Sequence, residues 1–170
     1  MFFDLEATGL NILQDSLITI QKKDGYGTKV WCIKDYASEA ELIEQFVDYY
    51  LEVEDKFLIG YNFTNLDLPL LFTRMSKQDI ERFFKKYNRG YVRDLAMILE
   101  FHKIRRQKLA KTLKLFEIDH SKFKKVDVNK LFSLNNWEKI IEYATNELDL
   151  IAKLWNKLWK QIKTKGHLTF

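Results

Sequence analysis

Asp4 and Glu6 stand two residues apart in a stretch whose other members, Phe2, Phe3 and Leu5, are apolar. In an extended strand, side chains at i and i+2 leave from the same face, so the two carboxylates are neighbours. Neighbouring like charges repel unless a shared proton or a cation comes between them. A strand end carrying two solvated acids has the same spelling. Asp67 is the second signal. It follows an apolar run at 57–60 and a polar loop containing Asn62, Thr64 and Asn65, and it opens a helix. An acid there serves as a helix cap or, at the strand ends of an open α/β sheet, as a ligand. Tyr143 and Glu147, four residues apart on a helix, form the third, and a surface acid beside an interfacial tyrosine is its plainer reading.

These residue types share one chemistry. Phosphodiester hydrolysis brings hydroxide to a centre that is already anionic. Two divalent ions ~3.5–4 Å apart activate the water and stabilise the leaving oxygen. Hard ions such as Mg²⁺ or Mn²⁺ take oxygen ligands, and several carboxylates offset their charge. A tyrosine hydroxyl suits the orientation of the attacking water. Histidine is not required, and His102, His120 and His167 have no ligand spacing.

The elements that must position these groups follow from periodicity. Residues 2–6 read as a strand, as do 17–22 and 29–33, with turn chemistry at Asp24-Gly25 and Gly27 between the latter two. Ser38 with Glu41 reads as a capping box, and Leu42, Ile43, Phe46, Val47, Tyr50 and Leu51 recur at helical spacing. The run 57–60 reads as a buried strand parallel to the first. Residues 67–75 read as a helix with Pro69 in its first turn, 91–92 as a final short strand, and 94–103, 106–117 and 127–132 as helices. From Asn136 as a cap, Trp137, Ile140, Ile141, Ala144, Leu148, Ile151, Trp155, Leu158 and Ile162 mark one apolar stripe of a long helix. At 100° per residue Glu147 falls at the edge of that stripe with Tyr143 on the same flank, while Asp149 faces away. The order predicts a mixed five-stranded α/β sheet with helices on both faces.

With 170 residues, 46% apolar and 31% charged, the chain fits one globular domain, 1–170, without repeats or a Pro/Gly-rich linker. A lone cysteine, Cys32, excludes an intrachain disulfide and a cysteine-built zinc site. No apolar run reaches the ~20 residues of a membrane span, and the first residues do not read as a signal peptide. A cytoplasmic or other intracellular location is the expectation. The net charge of +4 suits a polyanionic partner. The cations crowd at Lys103, Arg105, Arg106, Lys108, Lys111 and Lys114, then Lys122, Lys124 and Lys125. They read as a solvated face or as a track for phosphates, beside Tyr61 or Phe63 for stacking a base.

The sequence resembles the DEDD superfamily of 3′–5′ exonucleases, which have the ribonuclease H-like fold. FFDLEATGL is similar to the first exonuclease motif, LIGYNFTNLDLPLLFTR to the second and IIEYATNELDLIAKLW to the third, with VRDLAMIL and KLAKTLKLFEI between them in matching order. The likeness is greatest to the tyrosine subclass, as in the proofreading domain of family B DNA polymerases and related stand-alone nucleases. It implies metal-ligating roles for Asp4, Glu6 and Asp67 and a water-orienting role for Tyr143. Asn62 then contacts the terminal nucleotide, with Thr8, Leu10 and Phe63 in the same nucleic-acid-binding set. Two positions depart from the pattern: Glu147 stands where the last aspartate is expected, and Leu66 where an aromatic is common. Asp149 substitutes for Glu147 only if the helix is shifted. Asp94 reads as structural. The implied function is metal-dependent 3′–5′ exonuclease action on a single strand, DNA favoured. The alternatives are a nucleic-acid-binding module weakened at Glu147, or a proofreading subunit working with a separate polymerase or other replication or repair protein.

Overall fold

A computed structural model describes residues 1–54, 57–87, 91–121, 123 and 125–165. Five strands form one sheet: β1 (Phe2–Ala7), β2 (Leu17–Asp24), β3 (Gly27–Cys32), β4 (Phe57–Gly60) and β5 (Tyr91–Asp94), in the order β3-β2-β1-β4-β5. The first three make the expected antiparallel meander, and β4 and β5 add in parallel. The helices are α1 (Glu39–Glu52), α2 (Asp67–Arg74), α3 (Lys77–Tyr87), α4 (Leu95–Phe101), α5 (Leu109–Leu115), α6 (Val128–Ser133) and α7 (Trp137–Lys165). This is the mixed α/β arrangement of a ribonuclease H-like fold.

Alternation along β1 and β4 divides the core in two. Phe3, Leu5 and Leu58 point to one side, where Leu42, Ile43, Phe46 and Val47 of α1 and Phe83 of α3 cover them. Phe2 and Ile59 point to the other, under Leu95, Leu99, Leu113, Ile151 and Leu154 of α4, α5 and α7. Helices therefore lie on both faces. Each fully buried Leu, Ile or Phe contributes roughly 1.5–3 kcal/mol of transfer free energy. No helix among the described residues is long and apolar enough to cross a membrane.

The capping box at α1 forms in a displaced version. Ser38 Oγ accepts from the Glu41 amide at 3.2 Å, but the Glu41 carboxylate reaches back to Ala37 rather than to Ser38. Helix α3 has no counterpart in the sequence reading. Ile80, Phe83, Phe84 and Tyr87 do recur at helical spacing there, and Ser76 caps the start by accepting from Asp79. Its many lysines and acids obscured the stripe. Helix α5 is shorter than expected, because residues 104–108 remain irregular before Leu109.

Candidate active site

Asp4 and Glu6 share the β1 face with Phe2, and that is the face α7 covers. Across the β1–β2 ladder, Gln21 lies opposite Asp4 and Thr19 opposite Glu6. The Gln21 amide donates to Asp4 at 2.9 Å, and Thr19 holds the Gln21 carbonyl oxygen at 2.9 Å, which fixes its orientation. Helix α7 brings Glu147 down onto the pair. Carboxylate oxygens of Asp4, Glu6 and Glu147 all lie within 4.8 Å of one another. Asp4 is buried, whereas Glu6 and Glu147 keep a partial opening to solvent. Tyr143, one turn before Glu147, turns its hydroxyl to that carboxylate, and its ring stacks on Phe123 at 5.1 Å.

Asp149 points elsewhere. It pairs with Lys23 at 2.6 Å, and Lys23 faces Phe2 rather than the acids. The phase of α7 is thus the one its apolar stripe dictates.

Asp67 arrives from the other side of the site through a loop that needs a special backbone. A Cβ at Gly60 meets the Phe63 ring at 2.8 Å and the Phe3 carbonyl at 2.9 Å, so only glycine lets the chain double back there. Asn62 then adopts a φ of 60°, a left-handed conformation asparagine tolerates better than most residues. Buried Asp94, at the end of β5, gathers the loop. Its carboxylate accepts from the amides of Asn62 (2.8 Å) and Thr64 (3.2 Å), from the Thr64 hydroxyl (2.6 Å) and from Ala96 at the start of α4 (2.9 Å). Asp94 is structural, as expected from the sequence, and its task is to seat the segment that delivers Asp67.

The loop after β1 closes the front. Arg74, in the last turn of α2, donates to the Ile12 carbonyl at 2.6 Å and to the Asp15 carbonyl, and its Nε pairs with Glu39 at 3.1 Å. Asp15 in turn accepts from Thr8 and from the Asn11 amide, and packs where any Gly9 side chain would sit. The loop so tied forms, with Glu6, Leu66, Asp67 and Leu70, a cavity of about 150 Å³ that opens past Leu10.

The electrostatics explain what the cluster is fit to hold. Burial raises the Asp4 carboxyl well above the ordinary range, and the charges of Glu147, Asp67 and Glu6 add to it while the Gln21 amide opposes. Burial, Glu147 and Asp67 do the same to Glu6. Burial, Glu147 and Asp94 raise Asp67. Glu147 is raised by burial, against the Tyr143 hydrogen bond and the positive charge of Lys125. Four mutually repelling, desolvated carboxyl groups with only oxygen donors suit a hard divalent cation. Burial followed by the Glu147 charge pushes the Tyr143 hydroxyl far up, so it remains a proton donor.

Among the residues assigned to the nucleic acid, Leu10 is 77% exposed at the cavity mouth. Thr8 bonds Asp15 and the Ser16 amide. Asn62 takes the Asn65 amide on its side-chain oxygen. Phe63 requires correction: its ring is fully buried and packs edge-on against Phe3 at 6.0 Å, so it stacks no base. Tyr61 is likewise committed, its hydroxyl bonding Gln107 and Thr112. Lys122 and Lys124 lie outside the described residues, as does His167. Sequence reasoning underused Lys125, one cation in a basic run, whose charge acts on both Glu6 and Glu147. It also passed over Gln21, legible only as the position that alternation places opposite Asp4.

No curated protein sequence matches the chain. The family model for the exonuclease domain of DNA polymerase family B matches residues 11–112, more than half of it. That span takes in Asn62, Asp67, Arg74 and Asp94. It starts after Asp4 and Glu6 and stops before Tyr143 and Glu147, so those four are placed by geometry. On the strength of that match, the chain belongs to the family of exonuclease domains found in family B DNA polymerases.

Proposed function

We propose that the domain hydrolyses phosphodiester bonds at the 3′ end of single-stranded nucleic acid, DNA in the first place. Asp4, Glu6, Asp67 and Glu147 would hold two divalent cations, Mg²⁺ or Mn²⁺. The observation that carries this reading is the convergence of Asp4, Glu6 and Glu147, from a strand and a distant helix, within 4.8 Å, with Asp67 in their field. The bound cations would supply Lewis-acid stabilisation of the charge that builds on the phosphate oxygens and on the departing oxygen.

The chain's own residues do the rest. The cavity walled by Glu6, Asp67 and the Gly9–Ile12 loop receives the terminal nucleotide, with Leu10 at its mouth. Tyr143, whose hydroxyl proton is turned to Glu147, accepts a hydrogen bond from the attacking water on its oxygen and holds that water in line with phosphorus. The water oxygen bonds phosphorus, the P–O3′ bond breaks, the proton the water gives up is balanced by one taken up at the departing O3′, and a nucleoside 5′-monophosphate leaves the shortened strand with a free 3′-hydroxyl. Lys125 offsets part of the negative charge at Glu6 and Glu147 and is placed to attract the strand.

The test is digestion of 3′- and 5′-labelled single-stranded DNA and RNA with Mg²⁺, Mn²⁺ or chelator. Nucleotides lost from the 3′ end, with metal only, and lost no longer in Asp4→Ala, support the proposal. Cleavage that persists in chelator or in Asp4→Ala rejects it. A non-catalytic module draws its only support from the extra methylene of Glu147, and the Glu147 oxygen nevertheless meets Asp4 and Glu6. A polymerase or another replication or repair protein is the partner this family suggests, and co-purification addresses it.

A further inference from the structure

A groove of about 680 Å³ lies between α4 and the second half of α7, on the β5 side of the sheet and outside the acid cluster. Thr64 forms one lip, and Met97, Phe101, Trp155 and Trp159 line the walls. Apolar side chains stand open along it: Met97 is 52% exposed, Phe101 84% and Trp159 43%. Trp155 and Trp159 are stacked, ring centroids 5.3 Å apart and planes 16° from parallel. Lys163, one further turn along the same helix line, holds its ammonium 5.5 Å from the Trp159 ring.

The second half of α7 carries charges of one sign. From Leu150 to Lys165, α7 has no acidic residue and carries Lys153, Lys157, Lys160, Lys163 and Lys165. Lys160 and Lys163 are exposed, as are Lys103 and Arg105 just beyond α4. The acids nearby are already engaged. Asp94 is bonded by Asn62, Thr64 and Ala96, and Glu100 pairs with Arg106 at 2.7 Å. Lys157 is paired with Glu117 at 3.8 Å, which leaves Lys160, Lys163, Lys103 and Arg105 as the exposed cations near the groove, and exposed flat rings beside such cations complement a ligand with π faces and an anionic backbone.

The groove and the acid cluster are linked through one loop. Thr64, on the groove's lip, precedes Asp67 by three residues, at most ~11 Å of chain, and the Asp94 carboxylate that bonds Thr64 also acts on the Asp67 carboxyl. We propose that this groove binds the body of the single strand whose 3′ end occupies the acid cluster. Bases stack against Trp159 and Phe101, and Lys163 exchanges the indole face for a backbone phosphate. This inference rests on the exonuclease reading and extends it, because it places strand contacts on α4 and α7 far from the reacting bond.

The experiment measures binding of oligodeoxythymidylates of 4, 8 and 12 nucleotides with Ca²⁺ in place of Mg²⁺, by quenching of tryptophan fluorescence. Hydrolysis of the 4-mer in Mg²⁺ is measured alongside. The wild type should bind the 12-mer far more tightly than the 4-mer. Trp159→Ala, and separately Phe101→Ala, should weaken the 12-mer about tenfold, a stacking loss, and leave 4-mer binding and hydrolysis within about twofold. Lys163→Ala should flatten the salt dependence of 12-mer binding. Phe101 and Lys163 are exposed, so their variants test the idea even if Trp159→Ala unfolds. If Phe101→Ala and Lys163→Ala bind the 12-mer as the wild type does while the 4-mer is still cut, the groove assignment is wrong and the exonuclease reading stands. The assignment also fails if the groove takes an acidic amphipathic peptide and ignores the 12-mer. If the wild type neither binds nor cuts any oligonucleotide, the exonuclease reading itself has failed.

Discussion

Lys23 and Asp149 form an ion pair at 2.6 Å between β2 and α7, one pleat away from the hydrogen bond that Gln21 gives Asp4. The pair records the rotation of α7: with Asp149 on Lys23, Glu147 meets the acids. Both partners are more than a third exposed, so the bond itself contributes at most ~1 kcal/mol. Asp149→Ala should therefore retain nuclease activity within about twofold and lose little stability. Glu147→Ala, which removes an oxygen from the cluster, should lower activity by about 10²-fold or more. Comparing turnover of the two variants on one labelled strand checks the phase of the helix, and an inactive Asp149→Ala would contradict it.

Glu147→Asp installs the shorter acid that the resemblance leads one to expect there, yet it should harm this protein. The oxygens of Glu147 already lie within 4.8 Å of those of Asp4 and Glu6. Removing a methylene draws the carboxylate back by ~1.5 Å, and misplacement on that scale costs about 10²-fold. The measurement is kcat with Mn²⁺ and with Mg²⁺. Equal or higher activity would mean that the backbone of α7 moves in when the side chain shortens.

The raised carboxyls give the metal-free protein an unusual response to pH. For Asp4, Glu6, Asp67 and Glu147 the folded pKa lies above the unfolded one. Their contribution to stability is thus complete below the ordinary carboxylate range near ~4 and is lost as pH rises through the folded values. In chelator, Tm should fall as pH rises from the ordinary carboxylate range through neutrality. A divalent cation at ~100 times its Kd should restore about 2.7 kcal/mol at the upper end, or roughly 5–10 °C for a chain of this length. Thermal melts across pH with and without Mn²⁺ read this directly. Asp4→Asn should raise Tm in chelator and remove most of the metal response. A chelated protein whose Tm is flat or rising over that window would leave the charge argument without support.

Tyr143→Phe separates orientation of the water from proton abstraction. Burial and the Glu147 charge hold the hydroxyl above its ordinary range, so its loss should lower kcat by about 10²-fold across neutral pH, with strand affinity unchanged. Phe123, whose ring centroid lies 5.1 Å from that of Tyr143, offers the same stacking surface to the substituted ring and keeps it in place. A variant whose deficit vanished at low pH would indicate that the tyrosine works as a base.

Much of this architecture was legible in the sequence because strong periodicities carry it. Alternation fixed β1 and therefore the common face of Asp4 and Glu6, and the stripe of α7 fixed Glu147 against Asp149. Phe63 escaped because an aromatic in a polar loop looks available until Gly60 folds the chain over it. Helix α3 escaped because its apolar residues are outnumbered by charges. Arg74 appeared only as the last letter of a motif. Its bonds to Ile12, Asp15 and Glu39 join segments far apart along the chain, and no local pattern encodes such pairings.

Asp94 closes β5, one of the two edge strands of the sheet. The carboxylate that seats the Asn62–Thr64 turn is therefore mounted on a rail paired along one side only, while Asp4 and Glu6 ride on the central one. The acids thus hang from two unlike supports. A molecule gripping the β5 margin would reach Asp67 through the bonds Asp94 makes to Asn62 and Thr64, without approaching the acids themselves.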